Sequence, residues 1–228
     1  MTVVNTLLLS AFAVAISASP VAAQDFSRYR AFEFGMSVES VANLTSMKAT
    51  DVRAIHQSTD LIQKLNWTVH GYFDKSPDAD SAQSVRFDFY KGELYKIVVT
   101  YDVYQTNGLT TDDVIDSLSA VYGPATRPKA TILVSGFQPY SDNQDVLARW
   151  ENAEFSYNLF RSSYGQSFGL VAFSKTMDAT ATAADQEADR LDKLSAPERE
   201  LERQKSLADA EGIAREKARA INKPKFRP

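Results

Sequence analysis

The chain of 228 residues has no cysteine, two histidines and two tryptophans. Without cysteine there is no disulfide framework, no thiolate metal site, no thiol nucleophile and no cysteine-borne lipid anchor. Two histidines, His56 and His70, leave little material for imidazole chemistry. The first 23 residues contain no Lys, Arg, Asp or Glu, and all 54 charged side chains follow them. The apolar run Leu7 to Ala18 is shorter than the ~20 residues a membrane span needs, and no other stretch is long or apolar enough to span. With small residues at Val21-Ala22-Ala23, residues 1–23 read as a secretory signal peptide cleaved before Gln24. A cysteine-free exported chain of this size fits a bacterial periplasmic or secreted protein.

A net charge of −4 and the lack of a basic stripe among the aromatics argue against nucleic acid as a partner. Of the 25 aromatic residues, 23 lie between Phe26 and Phe173. From Asp178 onward, eleven acids and eleven bases share 51 residues, a composition that cannot build its own core. The domain boundaries expected are therefore 1–23 leader, 24–177 folded domain and 178–228 charged helical tail.

Within the domain, Gly35-Met36-Ser37-Val38-Glu39-Ser40-Val41 recurs 73 residues later as Gly108-Leu109-Thr110-Thr111-Asp112-Asp113-Val114. Each is a helix start. The Ser or Thr caps an orphan N–H, the preceding apolar residue staples onto the Val at N4, and the acid favours the positive end of the helix dipole. The second helix should end at Tyr122-Gly123-Pro124. Strands are expected at 29–34, 65–73, 84–90, 94–103, 146–150, 154–161 and 168–174, with turns at Lys91-Gly92-Glu93 and 162–167. The fold class predicted is α+β: an antiparallel sheet built from two helix-plus-three-strand meander units, followed by the helical extension.

Phe34-Gly35-Met36-Ser37, Gly92-Glu93-Leu94-Tyr95-Lys96-Ile97 and Ala148-Arg149-Trp150-Glu151 together resemble a family of exported proteobacterial proteins. The Gly-Met-Ser start resembles small SmpA/OmlA-type envelope proteins, over about ten residues and without their lipid-bearing cysteine. The tandem layout is similar to the β-lactamase-inhibitor-protein fold. These resemblances imply an envelope location and a sheet whose free face binds other proteins; they imply no activity.

The catalytic and metal motifs are thin. Gly165-Gln166-Ser167-Phe168-Gly169 has the Gly-x-Ser-x-Gly pattern of a hydrolase, but the residues after Ser167 read as a strand and both histidines lie upstream, the wrong order for that fold. Neither His56 nor His70 has a second ligand at metal-site spacing. Asp74, Asp78 and Asp80 lack the glycine and closing glutamate of a calcium loop. No catalytic residue, metal or cofactor is assigned. Candidate binding residues are Arg86, Asp88, Tyr90 and Lys96, on the mixed faces of strands 84–90 and 94–103, since Tyr and Arg are enriched in binding hot spots. On the second strand, alternation places Tyr95, Ile97, Val99 and Tyr101 on one face and Leu94, Lys96 and Val98 on the other.

In the tail, Ser195-Ala196-Pro197-Glu198 reads as a capping box that divides two helices, near 179–194 and 196–221. The reading of the whole is a non-enzymatic exported binding or adaptor protein whose partner is another envelope protein. The alternatives are a periplasmic small-ligand carrier and, third, a hydrolase using Ser167.

Overall fold

The computed structural model describes residues 24–56, 61–69, 81–134, 143–162 and 167–227. The leader reading falls on residues outside these, as do His70, Asp74, Asp78 and Asp80 and the end of the strand expected at 65–73.

Two units follow one another with the same element order. The first is helix α1 (Val38–Leu44) and strands β3 (Arg53–Ala54), β4 (Ile62–Thr68), β5 (Ala82–Tyr90) and β6 (Glu93–Tyr101). It is preceded by a small ribbon, β1 (Arg28–Tyr29) with β2 (Phe32–Glu33). The second is α2 (Thr111–Tyr122), β7 (Thr131–Leu133), β8 (Asn143–Glu151), β9 (Phe155–Arg161) and β10 (Phe168–Ser174), leading directly into α3 (Lys175–Asn222). The strands form one eight-stranded sheet in the order β3-β4-β5-β6-β10-β9-β8-β7, every pairing antiparallel. The second unit thus repeats the first in reverse order about the β6–β10 junction, where Val98 faces Val171. The fold is α+β with an antiparallel sheet and a C-terminal helical extension, as the sequence pattern predicts.

The helix starts form as the repeated motif requires. Gly35 and Gly108 both adopt positive φ, +94° and +83°, a turn that a Cβ would strain. The Ser40 N–H donates to Ser37 Oγ (3.2 Å) and the Asp113 N–H to Thr110 Oγ1 (3.2 Å). At α2 the box closes, with the Thr110 N–H and hydroxyl both donating to Asp113 (2.7 Å each). Val41 is fully buried, and Met36 packs against the same core. Leu109 remains 42% exposed and lines an open cavity with Val114. At the far end of α2, the Gly123 N–H donates to Ser119 O, and the Trp150 indole N–H reaches Gly123 O (2.9 Å), tying the helix stop to the sheet.

The main core lies between α1, α2 and one face of the sheet. It contains Leu65, Phe87, Ile97, Val99, Trp150, Tyr157, Leu159 and Leu170. Three expectations are corrected. The single opening strand at 29–34 is instead the β1–β2 ribbon, turned at Arg30 with φ +56°. The hairpin turn is two residues, Lys91-Gly92, both at positive φ, with Glu93 already paired to Tyr90. Strict alternation fails at the start of β6, because the pairing with β5 slips between Asp88/Lys96 and Phe89/Leu94 and leaves Tyr95 as a bulge. Leu94 therefore joins the main core, while Tyr95 turns to the opposite face beside Lys96.

The largest correction concerns the tail. Instead of two helices, α3 runs unbroken for 48 residues with Pro197 inside it, about 72 Å at the usual rise. Ser195 does not cap a new helix; its hydroxyl donates back to Leu191 O (2.9 Å). The Arg199 guanidinium donates to Asp192 O (2.9 Å) and also bonds Ser195 Oγ. Side chains thus bind carbonyls in the turn before the proline, where backbone bonding is weakest.

A sheet face beneath the C-terminal helix

The sheet face away from α1 and α2 carries the polar residues. Register sets them in rows: Lys64, Asp88 and Lys96 are direct neighbours on β4, β5 and β6, with Arg86 two residues along on β5. The Arg86 guanidinium grips Asp88 with two bonds, 2.8 and 3.1 Å, and donates as well to Val134 O beyond β7. Asp88 is only 2% exposed and Lys64 6%. Ile132 and Val134 pack on Val98, Phe160 and Val171 alongside.

The face is not open as the sequence suggests: α3 lies over it. Down one side of α3 runs a stripe of small and acidic residues, Asp178, Ala181, Asp185, Ala188 and Asp192, in alternating steps of three and four. Ala181 and Ala188 are buried, and Ala181 packs against Ile62 and Tyr95. Methyl side chains let the helix approach closely, and the aspartates between them meet Lys96 and His56 of the body. Asp178 Oδ1 lies 2.6 Å from Lys96 Nζ, a close ion pair whose geometry is not that of an aligned hydrogen bond. His56 sits between two turns of the helix, with Nε2 2.8 Å from Asp185 Oδ1 and Nδ1 3.3 Å from Asp192 Oδ2. Arg199 approaches Asp192 from the other side (3.8 Å). The compositional boundary at 177 therefore falls inside α3, whose first turns share packing and ion pairs with the sheet.

Between helix and sheet lies a cavity of about 70 Å³ lined by Lys64, Arg86, Asp88, Tyr95, Lys96, Ala181, Thr182 and Asp185, among others. Burial holds the Lys64 ammonium below its usual pKa, with Arg86 and Lys96 adding to the effect and Asp88 and Asp185 opposing it. Burial, and then the carboxylates of Asp88, Asp178 and Asp185, push the Tyr95 hydroxyl well above 10. The space is far below the ~300 Å³ of a small-molecule site. Chemically, this arrangement is a latch: alternating charges across an interface buried at Asp88 and Lys64 and open to solvent at Asp185.

Three of the four candidate binding residues, Arg86, Asp88 and Lys96, thus converge, but under the protein's own helix. Tyr90 is partly buried at the edge of the Ile62–Tyr95 cluster, with Lys91 Nζ 5.2 Å from its ring. Ser167 is buried, accepts a backbone bond from Ser162 (2.9 Å) and leads into a strand rather than the helix of a nucleophile elbow. Sequence reasoning weighed His56 only as a metal ligand and passed over Lys64 and the aspartates of α3 that face the sheet. The signal was present in the two interleaved seven-residue spacings, Asp178–Asp185–Asp192 and Ala181–Ala188.

Beyond Arg199, α3 leaves the body. Every described residue from 200 to 227 is exposed, including Leu201, Leu207, Ile213, Ile221 and Phe226. The helical part of this arm, 200–222, extends about 35 Å. Along it, Glu200–Arg203 and Glu211–Arg215 are ion pairs of 2.7 Å. No helix among the described residues is long and apolar enough to cross a membrane. A separate cavity of about 270 Å³ opens between α2 and the end of β6, lined by Arg30, Tyr101, Gln105, Leu109, Val114 and Leu118 among others.

No protein-family model and no curated protein matches the sequence. Among solved structures, the chain is similar to a cysteine-rich secretory protein from Staphylococcus aureus subsp. aureus Mu50 at 7% identity. That match covers 63% of this chain and 44% of the other, with a TM-score of 0.34, which carries no argument for fold or function.

Proposed function

We propose that this chain is a non-enzymatic, exported binding or adaptor protein of the bacterial cell envelope, and that the distal arm of α3 is its partner-binding element. One observation carries the reading: a helix whose contacts with the body run from Asp178 to Asp192 exposes every residue from 200 to its end at 222, about 35 Å, without burying a residue in its own fold. Such a segment gains little stability from its own contacts, since surface ion pairs contribute about 0–1 kcal/mol each. The apolar, cysteine-free N-terminal segment, followed by a body that carries all the charged side chains, supports the envelope location. The test is capture from envelope extract with the full chain and with a chain ending at Arg199. The reading expects the shorter chain to fold and to lose the partner; a shorter chain that captures every partner of the full one moves the binding element to the body.

A second reading, a periplasmic small-ligand carrier, is favoured by the 270 Å³ cavity beside α2, with Tyr101, Leu109, Val114 and Leu118 for an apolar ligand and Arg30 and Gln105 for its polar end. A thermal-shift screen with amphipathic acids supports it if stabilisation is lost on Leu109→Arg.

A further inference from the structure

The tip of the arm differs in charge from the rest of α3. Residues 178–214 carry ten acids and five bases; residues 215–227 carry Arg215, Lys217, Arg219, Lys223, Lys225 and Arg227 against the single acid Glu216. A local charge of +5 thus stands at the end of a helix in a chain of net −4. Arg215 is paired with Glu211 (2.7 Å), whereas Lys217, Arg219, Lys223 and Lys225 have no ion-pair partner among the described residues. Phe226, 73% exposed, sits between Lys225 and Arg227 just past the helix end, five residues from exposed Ile221.

We propose that this basic tip docks on an anionic phospholipid bilayer. The inference rests on the reading of the arm as the binding element and names what its end meets. Three features favour lipid over a protein surface or a second copy. The cations at 215, 217 and 219 alternate across the helix and those at 223, 225 and 227 continue beyond it, so they suit end-on entry into a field of head groups rather than one complementary face. Phe226 and Ile221 are placed to enter the interface among those cations, where an aromatic ring is favourable. A second copy paired antiparallel would match acidic and basic segments, but the arm offers no continuous apolar seam: positions seven apart read Leu194, Leu201, Ala208 and then Arg215. Exposed ion pairs alone hold such a pair weakly, whereas each basic residue near an anionic leaflet strengthens binding about fivefold.

The test uses the purified full chain in co-sedimentation with phosphatidylcholine vesicles, with and without phosphatidylglycerol at about one lipid in three. Binding to the anionic vesicles is expected, weakening as salt rises, with little binding to phosphatidylcholine alone. A variant carrying Lys217→Gln, Arg219→Gln, Lys223→Gln and Lys225→Gln changes only exposed side chains. It should bind the anionic vesicles at least about a hundredfold more weakly, with an unchanged circular dichroism spectrum. Phe226→Ala should weaken binding several-fold and leave its salt dependence intact. No binding to anionic vesicles, or equal binding by parent and quadruple variant, overturns the proposal. Capture of a protein partner that depends on the four cations, without vesicle binding, also overturns it and assigns the tip to an acidic protein. The chain ending at Arg199 separates the two claims: if it loses envelope capture while vesicles fail to bind the full chain, the arm remains the binding element and only the lipid assignment falls.

Discussion

Replacing Asp88 by asparagine keeps the volume of the side chain and removes a buried charge from the interface. Asp88 is 2% exposed and takes two hydrogen bonds from Arg86, with Lys64 and Lys96 beside it in register. After Asp88→Asn, three cations face only Asp178 and Asp185. Breaking a buried ion pair on one side costs about 3–5 kcal/mol, because the remaining charge has lost its compensation. Arg86 keeps its bond to Val134 O and some solvent exposure, so the lower end, about 3 kcal/mol, applies. With an m-value of about 2 kcal/mol/M, the urea midpoint should fall by roughly 1.5 M without a change in slope. The loss has a pH signature. Lys64 already releases its proton more easily in the folded state than at its ordinary 10.5, and loss of the Asp88 carboxylate lowers its pKa further. Between the folded pKa and 10.5 the unfolded chain binds more protons, so stability rises with pH there and the deficit of the variant shrinks. Pairing Asp88→Leu with Arg86→Met removes both charges and should recover about half of the loss or more. A cost for Asp88→Asn below about 1 kcal/mol, with no pH dependence, would mean that water screens the site like an ordinary surface pair and would refute the latch.

Ala181→Leu inserts a branched side chain between α3 and the Ile62–Tyr95 cluster and should cost about 1–3 kcal/mol; a neutral result would show that the helix does not rest there. Thr110→Ala removes a closed capping box and Ser37→Ala a single cap, so chemical denaturation should show losses of about 1 kcal/mol or more for the first and about 0.5–1 for the second; silence at both positions would disprove the caps. Above pH 10 the protein should lose stability steeply. Burial raises the hydroxyls of Tyr95, Tyr101 and Tyr157, and that of Tyr122 to about 12, so the folded state holds protons that the unfolded chain releases. Each contributes a slope of up to about 1.4 kcal/mol per pH unit, and ultraviolet titration should show these four ionising only as the chain unfolds.

The repeated helix start was legible because its parts are local: a glycine at positive φ, a hydroxyl cap and a valine four positions on act within one turn of chain. The meanders were legible through alternation, and that rule failed where its physical basis did, at the Tyr95 bulge, where one extra residue reverses the faces of Leu94 and Tyr95. The short edge strands β3 and β7 were not legible, since two or three residues carry no periodic signal. The tail was misread because aromatic content served as the measure of core. Ala181 and Ala188 contribute little apolar area and work through close approach, and Asp185 and Asp192 find His56 more than 120 residues away in sequence. Pro197 signals a break locally, yet the Ser195 and Arg199 side chains bond the preceding turn and the helix runs on. Arg86, Asp88 and Lys96 were found by their place on a mixed strand face, and what lies over that face depended on this unread stripe.

The division of α3 into a docked half and a free arm is tested most directly by amide hydrogen exchange along the helix. Residues 178–192 are held by the body and should exchange with it, near the limit set by global unfolding. Residues 201–222 have only their own turns, and an isolated helix of that length is marginal in water, so they should exchange orders of magnitude faster. Uniform protection along the whole helix would contradict the account by showing that the arm is part of the fold, and uniformly fast exchange would contradict it by showing that the latch does not hold.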